Sequence, residues 1–248
     1  MIPIKTKEEI NGIEKSCKIA ADILKELIKA TKPGTKTIYL DEIATDLAAK
    51  KKAKLAFKGY RNFPKGICVS INDEVVHGIP SQRIINNGDI VSIDIGILFN
   101  GFYADTAFTV GVNEINGTLK KLIEVTETSL HRGIEKAKAE SRLFDISSAI
   151  QSYVEMNGFS VVRDLVGHGI GKNLHEEPMV PNFGKPNTGP RLENGMVLAI
   201  EPMVCQGKWQ VEILENKWTV VTKDHSFAAH FEHTVAILPD GPRILTKI

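Results

Sequence analysis

The chain has 248 residues, 42% of them apolar and 25% charged, the balance of an ordinary globular protein with enough apolar surface to fold without staples. Its 31 Lys and Arg nearly cancel 30 Asp and Glu, leaving a formal net charge of +1, which argues against a strong electrostatic pull toward nucleic acid or membrane. Cys17, Cys68 and Cys205 are odd in number and far apart, and no CxxC pair is present, so neither a disulfide framework nor a structural zinc ribbon is expected. No apolar run approaches the roughly 18 residues of a membrane span. The start, MIPIKTKEEI, is charged and helix-like and lacks the apolar core of a secretory signal. The expected setting is the cytoplasm.

In chain order, Ile10, Ile13, Cys17, Ala20, Ala21, Leu24, Leu27 and Ile28 recur at helical spacing. They predict a helix over Thr6 to Ala30, with Thr6 and Glu9 as a capping box and Lys32-Pro33-Gly34 as its stop. A second helix fits Leu40 to Lys52, with Leu40, Ile43, Ala44, Leu47 and Ala48 on its apolar face. The Lys-rich stretch from Lys50 to Lys54 reads as a solvated helix end. The period then becomes strand-like: Cys68 to Ile71, Asp89 to Phe99, and Phe102 to Val110, with Asn100-Gly101 as a two-residue hairpin turn. Helical patterns return over Leu119 to Ala139 and Phe144 to Asn157, the latter closed by Gly158. Strand-like segments follow to the end.

The second half repeats the first. Asn87-Gly88-Asp89-Ile90-Val91-Ser92-Ile93-Asp94 matches Asn194-Gly195-Met196-Val197-Leu198-Ala199-Ile200-Glu201 at an offset of 107 residues. Leu40-Asp41 and Phe144-Asp145, opening the second helix of each half, match at an offset of 104. Asp105 and Glu232 each begin a β-branched run. These features predict an α+β single catalytic domain over 1–248, with pseudo-twofold halves of about 1–115 and 116–248.

The repeat places four acids at related strand positions: Asp94 with Glu201, and Asp105 with Glu232. A two-residue turn at Asn100-Gly101 pairs position 94 with 107 and makes 105 its diagonal neighbour on the same face. One such acid alone is more simply an exposed or ion-paired residue. Four acids in apolar strands would repel one another and raise some pKa values unless cations neutralise them. Two divalent ions would balance four carboxylates. His168, in Val166-Gly167-His168-Gly169-Ile170-Gly171, is expected in a glycine-rich turn that permits close backbone approach and an exposed imidazole. Hard oxygen donors with one imidazole suit Mn, Fe(II) or Co, with Zn a further candidate. Paired ions in such a site acidify a water for attack on a carbonyl, so amide or ester hydrolysis is the natural reaction class.

At these residues the sequence resembles the type I methionine aminopeptidases of the pita-bread fold, over essentially the whole chain. The motifs are Asp94, Asp105, His168 in GHGIG, Glu201 in IEP and Glu232 in FEHT. The resemblance implies a two-metal site in which Asp94 grips one ion, Asp105 and Glu232 bridge, and His168 and Glu201 complete the other shell, with Glu201 also the general base. It implies that His77, in VVHGIP, contacts the substrate backbone and that His175, in HEEP, binds the carbonyl oxygen. It maps the methionine pocket to Tyr60, Phe63, Cys68 and Trp218, whose flat apolar walls and soft sulfur suit a thioether. Phe57, Phe63 and Leu174 depart from common family residues. The implied activity is removal of the first methionine from nascent proteins, with a small second residue. The implied form is a cytoplasmic monomer, with the ribosome a candidate contact and neither nucleic acid nor membrane required.

Only 32 residues separate His168 from Glu201, which leaves no room for the helical insertion of the type II form. The alternatives are another pita-bread peptidase, an Xaa-Pro aminopeptidase or prolidase, and a non-catalytic binding relative. The first usually carries an added N-terminal domain, and the second would lack the ligands.

Overall fold

The computed structural model describes residues 2–247. In the first half, helices α1 (Lys7–Ala30) and α2 (Thr37–Lys50) precede strands β1 (Lys54–Leu55), β2 (Cys68–Ile71), β3 (Glu74–Val76), β4 (Ile90–Phe99) and β5 (Phe102–Gly111). In the second half, helices α3 (Gly117–Lys136) and α4 (Leu143–Met156) precede β6 (Ser160–Val161), β7 (Val166–Gly169), β8 (Glu176–Pro181), β9 (Val197–Ile200) and β10 (Met203–Cys205). The chain then forms β11 (Val211–Ile213), β12 (Val220–Thr222), β13 (Ala228–His230), β14 (Glu232–Leu238) and β15 (Gly241–Ile244).

The Thr6 capping box forms as expected, with Thr6 Oγ1 accepting from Glu9 N and the Glu9 carboxylate accepting from Thr6 N. α2 starts at Thr37, three residues before the expected Leu40, which corrects the second repeat match. Asp145 caps its own helix by accepting from Arg142 N. Asp41 instead lies inside α2 and reaches across to accept from Gly66 N and Ile67 N. The two aspartates share a sequence neighbourhood and do different work.

The main sheet is antiparallel and runs β1-β4-β5-β14-β9-β7-β8, with β2 also on β4 and β15 also on β14. This order carries the repeat. β4 and β5 of the first half face β14 and β9 of the second across a central β5/β14 seam. Asn100 and Gly101 take positive φ of 50° and 82° in the hairpin turn, and the register is the expected one, with Asp94 opposite Ala107 and Gly96 opposite Asp105. One apolar cluster joins α1 and α2 to the first-half strands, and a second joins α3 and α4 to β9 and β14. Two three-stranded sheets, β13-β10-β6 and β11-β12-β3, complete the structure of the described residues.

The seam is short, with Glu232 opposite Ala107 and His233 opposite Thr106. Threonines extend it reciprocally. Thr234 Oγ1 donates to Asp105 O at 2.8 Å and accepts from Asp105 N at 3.1 Å. Thr106 Oγ1 donates to Glu232 O at 2.8 Å. Each half therefore holds the backbone of the other half's acid.

Candidate metal centre

Register alone brings the acids together. One row across the sheet runs Cys68, Asp94, Ala107 and Glu232. Glu201 follows Ile200, which lies opposite His233, so it falls beside Glu232. Asp105 is two residues from Ala107 on the same face, and His168 sits opposite Ala199, two residues from Glu201. All five expected ligands line one cavity.

His168 is in strand β7 and buried, not on an exposed turn. The flanking glycines reflect strand packing: a Cβ on Gly167 would lie 2.4 Å from Ala199 O, and one on Gly169 2.2 Å from Glu177 O. His168 Nδ1 is 2.9 Å from Gly169 O. A proton on Nδ1 donates there and leaves the Nε2 lone pair free. Nε2 lies 3.7 Å from Glu201 Oε1 and 3.9 Å from Asp105 Oδ2.

Electrostatics divide the acids. Burial pushes Asp94 up to about 7, although His230 opposes it. Burial also holds Asp105 and Glu232 well above the carboxylate range, and the neighbouring acids add to the shift. Glu201 is pushed up by burial as well, yet His230, His168 and His77 outweigh that and bring it below its ordinary value. His230 is a residue sequence reasoning missed. It is 1% exposed, its Nε2 lies 3.3 Å from Glu201 Oε2, and that nitrogen makes no hydrogen bond. Its one signal was position, two residues before Glu232 and thus on the same face of an extended chain.

These donors fit a divalent cation. Asp94 Oδ1 and Glu232 Oε1 are buried and have no hydrogen-bond partner, which is costly unless a positive charge faces them. Donor atoms of Asp105, His168 and Glu232 lie within 4.8 Å of one another, as do those of Glu201, His230 and Glu232.

Phe57, Phe63, Cys68 and Trp218 form the apolar wall of the cavity, and His77 and His175 its polar rim. Phe63 packs edge-on against Trp218 at 5.1 Å. His77 has a left-handed backbone, φ 59°, a costly conformation for a non-glycine residue, and burial lowers its pKa. Burial and then His168 bring His175 down to about 4, so it is neutral at physiological pH. Tyr60 stacks on His175 at the cavity rim, with ring centroids 5.2 Å apart. Its hydroxyl lies 2.8 Å from His175 Nδ1.

The profile of metallopeptidase family M24 matches residues 11–239. The chain belongs to this family. It is 52% identical to the methionine aminopeptidase of Clostridium perfringens over 248 residues, the whole of both chains. The crystal structure of the methionine aminopeptidase of Thermotoga maritima superposes with a TM-score of 0.98 at 45% identity, covering 100% of both chains. Prolidase of Pyrococcus furiosus matches less well, at a TM-score of 0.78 and 25% identity, and this chain covers 65% of it. The fold is the pita-bread fold of these M24 enzymes. No described helix is long and apolar enough to cross a membrane.

Proposed function

We propose that this chain removes N-terminal methionine from nascent proteins using two divalent ions held by Asp94, Asp105, His168, Glu201 and Glu232. The methionine aminopeptidase activity itself follows from family membership and full-length identity to methionine aminopeptidases. The observation that carries the site reading is convergence: five side chains from four strands and one strand end line a single cavity beside an apolar wall. The ligands come from both halves, so the whole chain is read as one catalytic domain.

Bound divalent ions, of Fe, Mn, Co or Zn, supply a polarised carbonyl and an acidified water. Glu201, the acid held lowest, accepts the proton of the attacking water at a carboxylate oxygen and passes it to the departing amine. His175 donates to the carbonyl oxygen as charge builds there. His77 orients the substrate backbone. Phe57, Phe63, Cys68 and Trp218 enclose the methionine side chain. The family resemblance carries the finer expectations of a small second residue, a monomer and recruitment to the ribosome. Three free, buried cysteines suit a reducing cytoplasm.

The test is release of methionine from Met-Ala-Ser under anaerobic conditions across Mn, Fe, Co and Zn, beside an Ala-Pro peptide. Methionine release with no Ala-Pro cleavage is expected. Preference for Ala-Pro would replace this reading with the prolidase type. Failure to take up metal after chelation and reconstitution would leave a binding relative.

A further inference from the structure

His168 and His175 are neighbouring imidazoles, with ring centroids 4.2 Å apart, and their Nδ1 atoms meet different kinds of partner. His168 Nδ1 faces a backbone carbonyl, which can only accept. His175 Nδ1 faces the Tyr60 hydroxyl, which can donate or accept. An imidazole carrying one proton has one donor and one acceptor, so the role Nδ1 takes decides what Nε2 offers. For His168 the result is a lone pair at Nε2, as a cation requires.

We propose that Tyr60 is a positioning residue: its hydroxyl donates to His175 Nδ1, fixes the proton on Nε2, and so presents a donor to the substrate carbonyl. The Tyr60 ring supports the same placement by stacking on His175, with centroids 5.2 Å apart and planes inclined by 28°. The local backbone is bent to permit it. Tyr60 opens a single 3-10 turn in which Arg61 and Asn62 hold positive φ of 46° and 71°. Such conformations cost energy in non-glycine residues. Here they send the Tyr60 hydroxyl to His175 while Phe63, three residues on, enters the cavity wall against Trp218. The opposite tautomer would turn a lone pair toward the oxygen that gains negative charge, which is repulsive where stabilisation is needed. The residue after His175 is anchored as well: Glu176 pairs with Lys5 and accepts from Asn173 N.

The inference rests on the reading of His175 as the carbonyl donor, and the experiment separates the two. Tyr60→Phe keeps the ring and removes the hydroxyl. We expect kcat on Met-Ala-Ser to fall roughly 10- to 100-fold, the usual loss when a group that orients an active-site residue is removed, with KM and metal content unchanged. In ¹⁵N spectra of the protein loaded with a diamagnetic divalent ion, wild-type His175 should carry its proton on Nε2, and the variant should show both tautomers. Unchanged kcat, a raised KM with intact kcat, or a wild-type proton on Nδ1 would overturn the proposal. His175→Ala runs alongside. If it is inactive while Tyr60→Phe is unaffected, only the Tyr60 proposal falls; if it retains full turnover, the His175 reading falls with it.

Discussion

In the first half of the sheet, Asp94 and Asp105 leave one hairpin, and neither β4 nor β5 carries a histidine. In the second half, Glu201 and Glu232 stand with His168 from β7 and His230 from β13 beside them. Asp94 and Glu201, which the repeat pairs, therefore meet two environments. Asp94, on a strand without a histidine, is driven up to about 7 by burial against the opposing pull of His230, and Asp105 and Glu232 are held well above their ordinary range. Within reach of three imidazoles, Glu201 falls below its own. The repeat supplies a cradle of acids that needs cations, and the histidines that break the symmetry leave one of those acids ready to accept a proton.

The largest effect should come from stripping metal, because Asp94, Asp105 and Glu232 are all held above their ordinary range without it. Chelation should take turnover to background, and reloading should restore it. It should also leave a signature in stability. Asp94, raised to about 7, with Asp105 and Glu232 above their range, binds protons in the folded metal-free protein that the unfolded chain has released. The stability they contribute is full below the unfolded carboxylate values, at about pH 4, and is lost as pH rises through the folded values. Metal binding requires the ionised forms. The Tm gap between loaded and metal-free protein should thus widen from about pH 5 to about pH 8. A constant or narrowing gap in calorimetric scans would contradict the raised acids.

Glu201→Gln tests the other side of the contrast. It should fold and retain metal through the remaining ligands while kcat drops on the order of 100- to 10,000-fold, the loss of a general base. Near-normal turnover with metal bound would remove Glu201 from that role.

His230→Ala should have a smaller effect. Its imidazole is the leading influence that counters the burial of Glu201, and removing it should weaken metal affinity by roughly 10- to 100-fold, as loss of a ligand-orienting partner does. Chelator competition would measure this, and unchanged affinity would make His230 a bystander. Nothing about His230 was visible in composition or motif. Its importance comes from β13 pairing with β10 and ending beside the seam, a contact between segments the sequence gives no reason to join.

The acids were legible for the opposite reason. Asn100-Gly101 fixes the hairpin register locally, so the Asp94/Asp105 geometry follows from twelve consecutive residues and a period of two. The repeat extends that geometry to Glu201 and Glu232. The Asp41/Asp145 match misled because the dipeptides sit at different depths in their helices: Asp145 caps the start of α4, while Asp41 lies past the first turn of α2 and binds across to Gly66. The GHGIG segment read as an exposed turn because glycine that admits a neighbouring strand looks like glycine that makes a loop; only Ala199 and Glu177 carbonyls against it distinguish the two. The hydrogen bond from Tyr60 to His175 was not legible, because the two lie 115 residues apart and the positive-φ Arg61-Asn62 turn beside Tyr60 has no plain sequence mark.

The seam itself supplies the smallest and sharpest comparison. Thr234 and Thr106 each reach across the seam to the other half's acid, yet Thr234 both donates to and accepts from the Asp105 backbone while Thr106 makes one bond to Glu232 O. Both threonines are fully buried. Valine has nearly the same shape and suits a strand, so each Thr→Val change isolates the hydroxyl. Thr234→Val leaves a buried N–H and carbonyl short of a partner and should cost about 1–3 kcal/mol in urea unfolding; Thr106→Val, with one carbonyl affected, should cost about 1 kcal/mol. Because Asp105 sits on the backbone that Thr234 holds, the Thr234 variant should also bind metal more weakly than the Thr106 variant. Equal costs, or the reverse order, would mean that the two halves hold each other's acids by strand pairing alone, and that the threonines merely fill the seam.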